Sequence, residues 1–97
     1  MRLAIFIVAT AVLTITSSAA QASDGKTIYD QRCAMCHNKI PPKLGDKAAW
    51  APRIKKGTDA LVASAVNGKG VMKPQTKAGL TPAQIRAAVE YMIERSK

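Results

Sequence analysis

The chain has 97 residues, with 15 Lys and Arg side chains against 6 Asp and Glu, so its formal net charge at pH 7 is +9. This length allows a single domain and excludes a large enzyme, a multi-domain protein and a membrane transporter. So small a domain gains little stability from its core alone, and it usually needs a disulfide, a metal or a covalent cofactor to complete it.

The start of the chain has the pattern of a secretory signal peptide. Arg2 precedes an apolar run over residues 3–15, and small residues follow up to Ala22. This order of a basic start, a short apolar run and an Ala-x-Ala site predicts export and cleavage after Ala22. The run is shorter than the roughly 20 residues of a membrane-spanning helix, and an uncleaved anchor is the alternative. We therefore expect a signal peptide at 1–22 and one periplasmic domain at 23–97.

The next part of the chain predicts two helices separated by a loop. Asp24 is placed to cap a helix that runs to about residue 34. Residues 38–45 contain two prolines and predict a loop. Asp46 can cap a short helix, which Pro52 is expected to interrupt or restart because proline removes a backbone donor.

The second half of the chain predicts two further helices around a long loop. Thr58 can cap a short helix that stops at the Asn-Gly pair 67–68, and residues 67–80 hold three glycines, a proline and little periodicity. Thr81 begins a capping-box pattern with proline at the first helical position, and apolar residues then recur at helical spacing to about Arg95. The apolar stripe consists of Ile85, Ala88, Val89 and Met92. With no convincing strand, these patterns predict an all-α domain.

Both cysteines lie in the five-residue sequence Cys33-Ala34-Met35-Cys36-His37. A disulfide between them would close a very short loop and stabilise little, and a zinc site would need about four ligands. A thioredoxin-like redox pair would require a β-α-β setting, which the sequence does not suggest. The remaining interpretation is C-x-x-C-H, the attachment sequence for c-type haem. In it two thiols add to the vinyl groups of one haem, and the histidine projects under the iron.

Few side chains are available as iron ligands. His37 is the only histidine, so it is the expected first ligand, and ligation by two histidines of one chain is excluded. Met72 is the predicted second ligand, because it lies in the irregular loop, far enough along the chain to return over the other face of the ring. Met92 lies on the apolar stripe, where core packing explains it, and Met35 is tethered too close to His37. An ordinary loop methionine, or a five-coordinate iron, is the alternative for Met72.

Together these features resemble a class I c-type cytochrome, and most closely the small bacterial cytochrome c-five type. The similarity extends over nearly all of residues 24–95. Besides the haem motif, the isolated methionine and the last helix, it includes Pro42-Lys43-Leu44-Gly45-Asp46, Trp50-Ala51-Pro52-Arg53, Asn67-Gly68-Lys69-Gly70 and Glu90-Tyr91-Met92. The resemblance implies about three to five helices around one covalent haem c. It assigns cofactor binding to Cys33, Cys36, His37 and Met72, and iron ligation to the last two.

The resemblance also implies roles outside the haem motif. In the family a proline carbonyl after the haem histidine accepts that histidine's Nδ1–H, and Pro42 matches this position. Gly25 and Tyr29 resemble first-helix residues that cross the last helix near Tyr91. Trp50 resembles an aromatic residue packed near a haem propionate, and simple core packing is an equal alternative for it.

An iron saturated by two side chains leaves no open position for a substrate or oxygen, and the sequence has no evident nucleophile–base pair. We therefore expect a one-electron carrier rather than an enzyme, with a reductase or dehydrogenase as donor and an oxidase or reductase as acceptor. The runner-up is a haem-based sensor or small peroxidase-like protein with a labile Met72. A permanent haem subunit of a dehydrogenase or oxidase complex is a third interpretation.

The excess of positive charge predicts the chemistry of the partners. Export argues against nucleic acid, and lysines near the two predicted ligands should surround the exposed haem edge. These are Lys39, Lys43, Lys69, Lys73 and Lys77. We expect these lysines to steer the carrier toward acidic patches on its redox partners. We also expect the carrier to be a monomer with no stable membrane span after cleavage.

Overall fold

The computed structural model describes residues 3–5, 8–11 and 25–97. The predicted signal peptide at 1–22 falls largely outside these ranges and the predicted cap Asp24 falls outside them, so both stay predictions. The described part of the chain contains four helices, here α1 to α4, and no β-strand, which confirms the all-α prediction. None of the described helices is both long enough and apolar enough to cross a membrane.

Helix α1 covers residues 25–37 and has a π-helical stretch in its middle. Helical residues 25–28 lead into the π-helical stretch Tyr29–Cys33, and the α-helical turn Ala34–His37 follows. The helix continues past the predicted end near residue 34, so it carries the whole Cys-x-x-Cys-His sequence. π-Helical turns inside α-helices occur frequently at functional sites, and this one directly precedes the second thiol and the histidine.

Helix α2, Lys47–Ile54, begins where the sequence predicts, because Asp46 accepts the Ala49 N–H at 3.2 Å through its Oδ1. The predicted interruption at Pro52 is wrong, since this residue lies inside one continuous helix. Proline leaves the Ala48 carbonyl without its usual helical donor. The helix is only eight residues long and packs through Trp50, so tertiary contact outweighs that loss.

Helix α3, Thr58–Asn67, begins one residue earlier than predicted: Gly57 is the cap, and Thr58 is the first helical residue. The helix ends at Asn67 as expected, with Gly68 following at φ 84°. The long loop contains an isolated bridge between Lys69 and Met72 and a short 3-10 helix, Gln75–Ala78, which the sequence did not indicate.

Helix α4, Pro82–Ser96, begins with the predicted capping box. Thr81 Oγ1 accepts the Gln84 N–H at 3.2 Å, and Gln84 Oε1 accepts the Thr81 N–H at 2.9 Å. Each pair satisfies a backbone donor that the first helical turn would leave free.

The core forms where α4 packs against the other three helices. Its buried residues are Tyr29, Trp50, Val62, Ala65, Ile85, Val89, Met92 and Ile93. Helix α1 crosses α4 at Gly25 and Tyr29, as the resemblance implied. A Cβ on Gly25 would lie 3.2 Å from the Tyr91 Cβ and would collide with the Ala87 carbonyl. Nearby, the rings of Tyr29 and Tyr91 meet with centroids 5.5 Å apart.

Candidate cofactor site

A cavity of about 610 Å³ lies between α1, α3, α4, the last turn of α2 and the two loops that follow α1 and α3. One wall is the predicted apolar stripe of α4: Ile85, Ala88, Val89 and Met92. Sites for organic ligands and cofactors are typically about 300–1,000 Å³ and mostly apolar. The described fold therefore encloses space for a large apolar group beside its small core.

The three chemically reactive residues of the C-x-x-C-H sequence line this cavity together. They are Cys33, Cys36 and His37, all carried by the last turns of α1. No disulfide joins the two thiols; Cys33 is half-buried and Cys36 is exposed. Burial raises the pKa of the Cys33 thiol above its usual value, and the neighbouring Cys36 raises it further. Both thiols and the imidazole thus face one space.

The imidazole of His37 has a fixed orientation and a fixed tautomer. Its Nδ1 lies 2.8 Å from the Pro42 carbonyl oxygen. A carbonyl can only accept, so Nδ1 carries the proton and donates it, and the Nε2 of the neutral ring has a free lone pair. A histidine that ligates a metal usually donates its other N–H in this way, which fixes the ring and raises its basicity.

The loop that supplies the Pro42 carbonyl is held to the rest of the domain at several points. The Leu44 N–H donates to the His37 carbonyl at 3.3 Å, and the Trp50 Nε1–H donates to the Lys43 carbonyl at 2.9 Å. The Gly45 N–H donates to the buried Ser96 hydroxyl at 2.8 Å, which ties the loop to the end of α4. Trp50 is buried in the core cluster, as the core-packing interpretation predicts, and it does not line the cavity. Its contact with a propionate stays a prediction.

Met72 lines the same cavity from the loop after α3. Its backbone is fixed by two reciprocal bonds: Lys69 N–H to the Met72 carbonyl at 2.9 Å, and Met72 N–H to the Lys69 carbonyl at 3.0 Å. Gly68 makes this tight return possible, because its φ is 84° and a Cβ there would lie 2.9 Å from the Met72 oxygen.

The other two methionines of the described domain have different surroundings. Met35 is 82% exposed and does not line the cavity. Met92 does line it, but it is only 4% exposed and belongs to the core cluster. Met72 alone among the three combines a half-buried side chain, a cavity position and a place outside the core stripe.

Comparison with known proteins identifies the family. The profile of the family described as "Cytochrome C oxidase, cbb3-type, subunit III" matches residues 20–92. Cytochrome c-555 of Chlorobaculum thiosulfatiphilum is 48% identical over 86 residues, which cover 78% of this chain and 98% of that protein. The chain belongs to the class I c-type cytochromes. Cytochrome c5 of Azotobacter vinelandii is similar too, at 34% identity over 73% of this chain and 93% of the relative.

A solved structure agrees with this assignment of the cytochrome. It is described as "Crystal structure of electron transfer complex of nitrite reductase with cytochrome c", and one of its chains superimposes with a TM-score of 0.73 at 42% identity. The match covers 76% of this cytochrome and 95% of the solved chain. Family membership confirms the predicted cofactor, covalently bound haem c with its iron, and makes the protein a monohaem c-type electron carrier.

The residues around the cavity fit haem c. The cytochrome presents two thiols for the vinyl groups, an imidazole with a free Nε2, a thioether and an apolar wall to the same space. A neutral imidazole and a thioether are both established haem iron ligands.

The cavity's charged lining is entirely positive among the described residues. Arg32, Arg53, Lys69 and Lys73 line it, and no carboxylate does. Of the five lysines expected around the haem edge, Lys39, Lys43 and Lys77 do not line the cavity. Sequence reasoning gave no role to Arg53 or to Ser96; no local pattern marks Ser96, whose partner lies 51 residues away.

Proposed function

We propose that this cytochrome is a periplasmic one-electron carrier whose haem occupies the cavity. In this proposal Cys33 and Cys36 form the thioether links, and His37 and Met72 are the axial ligands. The observation that carries it is the His37 Nδ1–H donated to Pro42 at 2.8 Å, which leaves Nε2 free inside a cavity that Met72 also lines.

The bound haem would supply the one-electron Fe(II)/Fe(III) couple. The chain's own residues would keep the surroundings of the iron the same in both oxidation states. The loop after α1 holds the imidazole of His37, and the Lys69–Met72 bridge holds the backbone of Met72. The α4 stripe excludes water from the cavity wall. His37 and Met72 would hold the iron and would leave no site for a substrate, so we propose a carrier that is not an enzyme by itself.

The partners proposed are larger redox enzymes with acidic surfaces. The similar solved structure is described as a complex of a nitrite reductase with a cytochrome c, which supports an enzyme of this general class as partner. The positive lining of the cavity supports a negative docking face. Ile40 and Val71 also line the cavity and are exposed, which supports apolar contact at its mouth. We propose a monomer that meets these partners after export and removal of residues 1–22.

A second candidate is a permanent haem subunit of an oxidase or dehydrogenase complex. The description of the matching family, an oxidase subunit, favours it. Stable co-purification with a membrane complex would support the subunit and contradict the mobile carrier.

The test is the visible and far-red spectrum of the full chain expressed with export into the periplasm, before and after dithionite. We expect covalent haem, a far-red sulfur-to-iron band in the oxidised protein, and no carbon monoxide binding after reduction. The exposed Met35→Ala variant should give the same spectra. Rapid carbon monoxide or peroxide binding would contradict the proposal and support the sensor or peroxidase-like alternative.

A further inference from the structure

Ser96 is a buried polar residue in a described core otherwise made of aliphatic, aromatic and methionine side chains. It is the last residue of α4 and is 1% exposed. Its hydroxyl accepts the Gly45 N–H at 2.8 Å, from a position 51 residues away in the sequence. A Cβ on Gly45 would lie 3.9 Å from the Arg95 carbonyl oxygen, so the loop after α1 lies directly against the end of α4. Loss of such a buried partner is costly for the backbone donor that it satisfies.

The carbonyl that orients the His37 imidazole belongs to a residue that cannot be held through its own backbone N–H. Pro42 supplies the oxygen that lies 2.8 Å from His37 Nδ1, and proline has no N–H to donate. The residue before it, Pro41, has none either. The position of the Pro42 carbonyl therefore depends on the residues that follow it, 43–45.

These three residues are bonded to three different parts of the domain. The Lys43 carbonyl accepts the Trp50 Nε1–H of α2 at 2.9 Å. The Leu44 N–H returns to the carbonyl of the histidine itself at 3.3 Å. Of these bonds, the one from Gly45 to Ser96 is the one that reaches α4, the helix whose apolar stripe forms a wall of the cavity. Ser96 therefore links the loop that orients the imidazole to the helix that faces the cofactor space.

We propose that Ser96 is a positioning residue for His37 and thereby lowers the reduction potential of the haem iron. Through Gly45 it holds the Pro42 carbonyl against the Nδ1–H of the imidazole. An imidazole that shares this proton with an acceptor is the stronger donor through Nε2. A stronger donor favours Fe(III), because that oxidation state carries the larger positive charge. This inference rests on the proposed function, since it takes Nε2 of His37 as the iron ligand.

The experiment compares Ser96→Ala with the control Ile93→Val in the haem-loaded protein. Ile93 is a buried core residue on the preceding turn of α4, and it does not line the cavity. The two replacements should lower stability by similar amounts. At the wild-type midpoint potential we expect Ser96→Ala to raise the Fe(II)/Fe(III) ratio about two- to threefold, and Ile93→Val to leave it unchanged. The effect is smaller than the roughly 10–100-fold cost of losing a metal ligand's own partner, because the Pro42 carbonyl remains.

A second readout follows the hydrogen bonds themselves. In proton NMR of the reduced proteins, the Gly45 N–H and the His37 Nδ1–H should exchange slowly with solvent in the wild type and in Ile93→Val. Both should exchange several-fold faster in Ser96→Ala. Rapid exchange of the Gly45 N–H in the wild type would overturn the inference without any variant.

The measured ratios separate this inference from the proposed function. An unchanged Fe(II)/Fe(III) ratio in Ser96→Ala, or an equal rise in Ile93→Val, would also overturn it, since a merely structural role would move both variants alike. If covalent haem and the far-red band persist in Ser96→Ala, such a result would leave the proposed function intact. A wild-type protein without them would contradict the proposed function itself.

Discussion

The three methionines of the described domain give a test of ligation at the scale of single residues. Met72→Ala should keep covalent haem, because both thiols remain. It should open the iron to carbon monoxide and lower the reduction potential, since a neutral thioether favours Fe(II). Loss of the far-red band and carbon monoxide binding would report the open iron, and a redox titration would measure the potential.

The other methionines are matched controls for this change. Met35→Ala removes an exposed side chain outside the cavity, so spectra and potential should not change. Met92→Ala removes a buried core residue and should lower stability by about 2–5 kcal/mol without opening the iron. An iron opened by either control and not by Met72→Ala would show that the ligand is assigned wrongly.

Residue-level prediction from the sequence worked best where the chemistry is local. The spacing of Cys33, Cys36 and His37 predicted that all three serve one cofactor site, and the structure has them lining one cavity. It also contains the His37–Pro42 contact that family resemblance implied. Contacts between segments distant in sequence, such as the bond from Gly45 to Ser96, have no local sequence pattern. They could be found only from the folded structure.

At the scale of elements, the crossing of α1 and α4 depends on the missing side chain of Gly25. Gly25→Ala should destabilise the protein by about 1–3 kcal/mol, because the new methyl would collide with the Ala87 carbonyl. Helix propensity alone predicts the opposite sign, a gain of about 0.5–1 kcal/mol. Chemical denaturation of the haem-loaded protein decides between the two, and higher stability would contradict the close crossing.

The tie between α4 and the loop that orients His37 is a second contact between elements. Ser96 is 1% exposed, and its hydroxyl accepts the Gly45 N–H at 2.8 Å. Ser96→Ala should cost about 1 kcal/mol, since that backbone donor loses its partner. Thr76→Ala is the control, because its exposed hydroxyl makes a longer bond of 3.3 Å to the Val66 carbonyl. An equal or smaller loss of stability for Ser96→Ala would contradict this role.

Element boundaries were predictable where caps determine them. The Thr81 capping box and the Asp46 cap start their helices as expected. The interruption at Pro52 was wrong because packing through Trp50 holds a helix that local preference would break. The π-helical stretch Tyr29–Cys33 could not be predicted from the sequence. A single turn with more residues than an α-helical turn changes the hydrophobic periodicity too little to be detected.

For the whole molecule, the distribution of charge governs encounter with partners. Electron transfer to a redox enzyme with an acidic surface should slow with rising salt, because steering of about 10–10³-fold is screened over roughly 8 Å. Replacing Lys69, Lys73 and Lys77 together by Gln should flatten that dependence. Lys69 and Lys73 line the cavity, and Lys77 lies in the 3-10 helix that follows them.

The matched control removes the same number of positive charges at positions away from the cavity. Lys55 and Lys56 follow α2, and Lys97 pairs with Glu94 at the end of α4; none of the three lines the cavity. Replacing them by Gln should leave most of the salt dependence in place. Equal effects of the two triple variants on the bimolecular rate would mean that only total charge matters.

The proposed ligation of the haem iron by His37 and Met72 is what leaves this cytochrome without a substrate site, and proton NMR of the reduced wild-type protein tests it. A methionine bound to haem iron lies inside the ring current, which moves its methyl resonance far upfield. We predict one such methyl, connected through space to the residues of the Lys69–Met72 bridge and absent in Met72→Ala. A shifted methyl that belongs to Met92 or Met35, or no shifted methionine methyl at all, would contradict this ligation.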